Sequence, residues 1–334
     1  MDSKECRKAP KVVAVVVAYN NPQELDNCLY AIANQSYSVR TIVCVDNSAA
    51  SFQKTNTEII DQFENCKIEY FYNDTSPKGS AKGYEIGMRF AISNEPDFVW
   101  LNDQDGVPQN DCLERMLDSF YACNNSATKV VVPCLRSQED KHYMRAFSCD
   151  FNPFLHTLGL YDEIDEEKDR FVEKFGSTGT LIHKDAIKTC GVYNGDIFYV
   201  GLEDVDYSLR IKEKKFRILY SANACYYHPD LNVKYSIPLK KRSRFIEKLA
   251  PFNMSYVSSS DLEKGNQRAI SLCRGSAYIN ERYCKPFSKK YNKFFSLVRL
   301  LAQKAKNRNV KIRHTLKYYK EGEKIAKQNR GGHL

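Results

Sequence analysis

The chain has 334 residues, 43% of them apolar, which suffices for one large or two small domains with a sizeable core. Its 50 Lys and Arg outnumber 41 Asp and Glu, but the excess is local: residues 285–330 hold 15 basic against 2 acidic residues, leaving 35 against 39 elsewhere. The charge therefore says nothing about the substrate of the main body, and it sets apart a basic tail with its own contact surface. Twelve cysteines without a Cys-x-x-Cys pair argue against a zinc site and for reduced thiols in a cytosolic chain. The charged start and the short apolar run at 12–18 predict neither a signal peptide nor a membrane span.

Residues 12–18 are continuously apolar and β-branched, as in a strand covered on both faces. They end in Tyr19-Asn20-Asn21-Pro22, where Asn21 suits a helix cap and Pro22 a first turn, followed by Leu25, Cys28, Leu29 and Ile32 at helical spacing. No Gly-x-Gly-x-x-Gly follows, which counts against a dinucleotide-binding domain. A second strand at 41–45 ends in Asp46-Asn47-Ser48, and a third at 68–72 runs into a polar turn from Asn73. The strand at 97–101 gives way to Asn102-Asp103-Gln104-Asp105-Gly106. Two carboxylates at a strand end suit a hard divalent cation bridging to phosphates, and they equally suit a solvated turn. Pro108 is expected to open a helix through Phe120, and 129–133 is a fifth strand.

Residues 134–175 are irregular, with an acidic run at 162–169 that reads as a solvated loop. Glu203, Asp204 and Asp206 open a helix whose Val205 and Leu209 share a face. For Asp206 favourable interaction with the helix dipole is enough explanation. A strand at 216–220 follows, and His228 ends a separate short apolar stretch, as a structural or an exposed imidazole if not a ligand. Alternating strands and helices predict a mostly parallel sheet whose strand ends at Tyr19, Asp46 and Asp103 share one edge.

The succession Tyr19-Asn20, Asp46-Asn47-Ser48, Asn73…Gly79-x-Ala81-x-Gly83…Gly87, Asn102-Asp103-Gln104-Asp105, Gly201-Leu202-Glu203-Asp204-x-Asp206-x-x-Leu209-Arg210 and His228 resembles family 2 glycosyltransferases of the GT-A fold over residues 10–285. The Asp-Gln-Asp box and Arg274-Gly275…Tyr278…Arg282-Tyr283 look most like bacterial rhamnosyltransferases and galactofuranosyltransferases. Asn102 stands where many relatives have an acid, Leu202-Glu203-Asp204 where galactofuranosyl enzymes have Trp and two Asp, and Gly275 where Asn is common. The resemblance implies a Rossmann-like α/β catalytic domain at 10–230, with nucleotide-sugar binding at 10–133 and the acceptor and catalytic part at 134–230. A helical basic region would occupy 231–334.

It also implies a metal-dependent, inverting transfer from a UDP- or dTDP-sugar to a hydroxyl of a glycan or lipid-linked acceptor, in cell-surface polysaccharide synthesis. Asp103, Asp105 and His228 would hold Mg²⁺ or Mn²⁺, with Asp103 also reaching the ribose. Tyr19, Asn20, Asp46, Asn73 and Lys82 would contact the donor, Asp204 would be the general base, and Glu203 would position the acceptor. A nucleotidyltransferase and a non-catalytic nucleotide-sugar-binding relative are the alternatives; the first lacks its Gly-rich basic loop after strand one. The loops at 134–175 and 230–285 would set acceptor choice.

In the tail, Phe294, Leu297, Val298 and Leu301 form a stripe flanked by Lys290, Lys293, Lys304 and Lys306. Such a helix packs on its own domain or on a second copy in a homo-oligomer, or lies on an anionic membrane. The charge favours the membrane, making the chain peripheral at the inner face of the cell membrane; no nucleic-acid fold precedes the tail.

Overall fold

The computed structural model describes residues 9–76, 78–139, 151–152, 157–158, 168–229, 262, 264–306 and 312–329. The acidic run at 162–167 and the segment at 230–261, both within the loops expected to face an acceptor, lie outside the described residues.

The first half alternates as its hydrophobic pattern demands. Strands β1 (Val12–Ala18) and β2 (Thr41–Asp46) are buried along their whole length, because helices cover both faces. Helix α1 (Pro22–Ala33) starts where Asn21 Oδ1 accepts from the Glu24 amide, with Pro22 in the first turn. Helix α2 (Gln53–Ile60) leads to β3 (Lys67–Tyr72), and α3 (Ser80–Ser93) leads to β4 (Phe98–Asp103). These four strands pair in parallel in the order β3-β2-β1-β4. A Cβ at Gly83 or Gly87 would fall 2.6 and 2.3 Å from Val17 and Val15, so both positions must be glycine for α3 to lie this close to β1.

The second half departs from strict alternation. After β5 (Val107–Pro108), α4 (Cys112–Ala122) and β6 (Thr128–Ser137), a small ribbon of β7 (Phe151–Asn152) and β8 (Thr157–Leu158) is followed by β9 (Arg170–Val172). Next come β10 (Leu181–His183), α5 (Lys184–Cys190), α6 (Glu203–Glu213) and β11 (Arg217–His228). The main sheet runs β3-β2-β1-β4-β10-β6-β11-β5, with β10 antiparallel to both neighbours and β9 paired to β11.

Two local expectations are corrected. Pro108 does not open a helix; it pairs with Tyr226 in β5, an edge position where a missing N–H costs nothing, and α4 begins at Cys112. The two apolar stretches at 216–220 and 225–228 are one strand, whose register against β6 slips between Ser221 and Cys225. That irregularity breaks the alternation in sequence and re-aims the strand's end, where His228 sits.

The sheet separates two apolar layers. Val13, Val15, Val17, Val99 and Leu101 face α3, α5 and α6, while Val12, Ala14, Val16, Phe98 and Trp100 face α1 and α4. Three further helices follow, α7 (Gln267–Tyr283), α8 (Pro286–Lys306) and α9 (Ile312–Gln328). Tyr278, Ile279 and Tyr283 of α7 share a buried cluster with Val205 and Leu209 of α6, and Ala326 of α9 joins them.

Candidate active site

Side chains alternate along β4, so its last two residues part company. Asn102 faces the α1/α4 layer, wholly buried, donating to the Trp100 carbonyl at 3.0 Å and accepting from the Tyr226 hydroxyl at 3.2 Å. Asp103 faces α3. Its Oδ1 accepts from the Tyr84 hydroxyl at 2.6 Å and its Oδ2 from the Thr178 hydroxyl. Burial and the neighbouring charge of Asp105 push the Asp103 carboxyl up, opposed by His228 and by the Thr178 and Tyr84 hydroxyls.

Asp105 lies in the turn after β4, closed by the Gly106 amide donating to the Asp103 carbonyl at 3.0 Å. Its Oδ1 is 3.2 Å from His228 Nε2 at the end of β11. Burial opposes a charge on His228, yet the hydrogen bond and charge of Asp105, with Asp103 behind, raise its pKa to about 9. Ligand atoms of Asp103, Asp105 and His228 lie within 4.8 Å of one another. Two carboxylates and an imidazole at that spacing fit a divalent cation such as Mn²⁺, which would take the place of the imidazolium proton.

Gly201 and Leu202, at φ of 86° and 75°, turn the chain into α6. A non-glycine residue in the left-handed region is costly, and here it immediately precedes two carboxylates. A Cβ at position 275 of α7 would lie 2.9 Å from the Phe198 ring and 3.3 Å from Leu202, so Gly275 belongs to the packing of this turn. Glu203 is 6% exposed, and its Oε2 has no hydrogen-bond partner among the described residues. Burial, then the charges of Asp204 and Asp103, raise its pKa to about 8. Asp204 beside it is half-buried and accepts from the Val205 amide at 2.7 Å.

Asp206 is more than a helix-dipole residue. It is buried, accepts from Tyr283 at 2.6 Å and lies 2.8 Å from Arg210, whose Nη1 donates to the Cys190 and Val192 carbonyls. Lys82 is held between Glu85 at 3.0 Å and Asp196 at 2.9 Å, tying α3 to the loop before α6.

Along the same edge of the sheet the neighbouring strand ends are laced together. Asp46 is wholly buried; Oδ1 accepts from the Ser48 amide at 2.8 Å, and Oδ2 accepts from Asn56 at 2.8 Å and Tyr70 at 2.7 Å. Asn73 is buried and donates to Asn47 Oδ1, and Asn47 donates to the Gly79 carbonyl. Asn20, at φ 50°, accepts from the Ala49 amide at 2.8 Å. Tyr19 is exposed, while Gln104 clamps its backbone by accepting from its amide at 2.6 Å and donating to its carbonyl at 2.7 Å.

Asp103, Asp105 and His228 thus meet, and the charge of Asp103 reaches Glu203, while Tyr19, Asn20, Asp46 and Asn73 form the adjoining strand-end rim. Sequence reasoning misses Tyr84, reads Thr178 only as one of the small residues at 175–182 that allow close approach, and sees Gln104 only within the Asp-Gln-Asp box. Tyr84 and Thr178 stand 19 and 75 residues from Asp103, where no local spacing could link them.

The sequence profile described as "Glycosyltransferase like family 2" matches residues 10–243. The chain is 24% identical over 202 residues to the dTDP-rhamnosyl transferase RfbF of Shigella flexneri, covering 60% of this chain and 62% of that one. It is 30% identical over 113 residues to the galactofuranosyltransferase GlfT1 of Mycobacterium tuberculosis, covering 34% of this chain and 35% of the relative. The chain thus spans less than two thirds of either relative. Among solved structures, S. aureus TarS 1–349 in complex with UDP superposes with a TM-score of 0.51 at 14% identity, covering 96% of this chain and 92% of that one. GalNAc-T7 with UDP, GalNAc and Mn²⁺ gives 0.54 at 13% identity over 67% and 44%. These similarities fix the fold as GT-A, and the match over more than half of its length makes the chain a member of glycosyltransferase-like family 2.

Proposed function

We propose that the chain transfers a sugar from a nucleotide-diphosphate donor to a hydroxyl of a glycan or lipid-linked acceptor, with inversion at the anomeric carbon. The observation that carries this reading is the Asp103, Asp105 and His228 cluster at one strand edge, electrostatically coupled to a carboxylate pair at the start of α6. Asp103, Asp105 and His228 would hold Mn²⁺ or Mg²⁺, which supplies Lewis-acid stabilisation for the charge growing on the departing diphosphate.

The remaining work falls to the chain's own side chains. Tyr19, Asn20 and Asn73 border the nucleotide, and Asp46, saturated by Ser48, Asn56 and Tyr70, shapes the floor beneath the base. Asp204 takes the acceptor's proton as its oxygen attacks the face opposite the leaving group. Glu203, kept protonated by burial, offers an O–H to a sugar or acceptor oxygen. Lys82 fixes the wall between α3 and the loop before α6. The rhamnosyl, galactofuranosyl and UDP-bound relatives support a dTDP- or UDP-sugar as donor.

Helix α8 exposes Leu297, Val298 and Leu301 beside exposed Lys290, which supports reversible attachment to an anionic membrane bearing a lipid-linked acceptor. No helix among the described residues is long and apolar enough to cross a membrane. The test is a panel of UDP- and dTDP-sugars with Mn²⁺ and Mg²⁺, followed by mass. Release of free sugar and nucleoside diphosphate from one of them is the expected result, and intact donors throughout would contradict it.

A further inference from the structure

Asp103 is a half-buried carboxylate at the end of β4, and such a side chain keeps one direction only if something donates to it. Two hydroxyls do, one to each oxygen. Tyr84 comes from α3, which Gly83 and Gly87 let settle on β1, and its hydroxyl reaches Oδ1 at 2.6 Å. Thr178 comes from the loop before β10 and reaches Oδ2. Both donors are locked in turn. The Tyr84 ring packs edge-on to Tyr193 at 5.8 Å, and Tyr193 packs against Tyr207 of α6 at 5.2 Å. The Thr178 loop is pinned where Trp100 Nε1 donates to the Gly179 carbonyl at 2.9 Å. Asp105 meets His228, whose Nε2 lies 3.2 Å from its Oδ1. Asp103 is thus held by hydroxyls of α3 and of the loop before β10, while Asp105 faces the end of β11.

We infer that Tyr84 and Thr178 are positioning residues that aim the Asp103 carboxylate at the metal and diphosphate, an inference that rests on the transferase reading above. Hydroxyls bonded to a ligating carboxylate fix its direction, and losing such a partner typically weakens metal affinity about 10–100-fold.

The test measures Mn²⁺ affinity of the full chain by the electron paramagnetic resonance of free Mn²⁺, with UDP and separately with dTDP present. Tyr84→Phe and Thr178→Val are expected to weaken binding by about 10–100-fold while melting remains cooperative. Thr178→Ser, which keeps the hydroxyl, should restore it. Tyr193→Phe removes an equally buried phenol whose partner is Ser177 and should leave Mn²⁺ affinity unchanged. If Tyr84→Phe fails to fold, the Thr178→Val and Thr178→Ser pair decides by the same criterion. Wild-type affinity in Tyr84→Phe or Thr178→Val, or equal weakening in Tyr193→Phe, overturns the positioning role alone. A wild-type chain that binds no Mn²⁺ with either nucleotide overturns the metal reading together with this inference.

Discussion

Tyr283 donates its hydroxyl to Asp206 at 2.6 Å, and through that bond α7 grips the first turn of the helix that carries Glu203 and Asp204. Arg274 reinforces the grip by donating to the Ile197 carbonyl at 2.9 Å, and Ser271 accepts from the Tyr199 amide at 2.7 Å. Helix α7 therefore braces the loop and turn that present the carboxylate pair.

Tyr283→Phe leaves a buried Asp206 oxygen unpaired and should cost about 1–3 kcal/mol of stability. Asp206→Asn removes one partner of the buried pair with Arg210 and should cost about 3–5 kcal/mol. Denaturant unfolding of the two variants checks both. Wild-type midpoints would mean that α7 does not brace α6.

Burial of Glu203 predicts an unusual pH dependence of stability. In the unfolded chain its carboxyl ionises near its ordinary 4.5, and in the folded chain at about 8. Between those values the folded state holds the extra proton. Stability from this group is thus complete below pH 4.5, falls as pH rises through the window and is gone above about 8. Each unit is worth about 1.4 kcal/mol, so the full window amounts to a few kcal/mol. Glu203→Gln keeps the shape without the titration. Its melting temperature should exceed that of the wild type most clearly near pH 8.5, and the two should converge toward pH 4.5. A gap independent of pH would contradict a buried, protonated Glu203.

The basic helix gives a separate prediction. Phe294, Leu297, Val298 and Leu301 are all exposed, while Lys293 lies 2.8 Å from Glu323 and Lys289 3.1 Å from Glu281. Part of the tail's charge is thus neutralised within the molecule, so the proposed membrane attachment needs apolar insertion as well. Leu297→Glu together with Leu301→Glu should reduce sedimentation with phosphatidylglycerol vesicles several-fold, and high salt should weaken the wild-type binding. Binding unchanged by both would assign this face to another partner.

The parallel half of the fold was legible because its strands are covered on both faces and read as unbroken apolar runs, as at Val12–Ala18. The acids were legible for the same reason: an apolar strand that stops in Asp103-Gln104-Asp105 announces a sheet edge. What escaped was everything fixed by distant chain. β10 has only three residues, Pro108 reads as a helix start by its own chemistry, and the register slip at Ser221 hides one long strand as two. Asp206 read as a dipole residue because its partner Tyr283 lies 77 positions away. The hydroxyls on Asp103 belong to the same class, being unremarkable side chains made specific only by packing.

Turnover of the donor by Asp204→Asn, beside wild type at saturating donor and Mn²⁺, tests most directly whether the carboxylate pair faces a working metal cluster. An amide cannot take the acceptor's proton, so turnover should fall about 10²–10⁴-fold while the affinity for the nucleoside diphosphate stays at the wild-type value. Turnover within a few-fold of wild type would move the base away from Asp204 and contradict the proposed chemistry of this site.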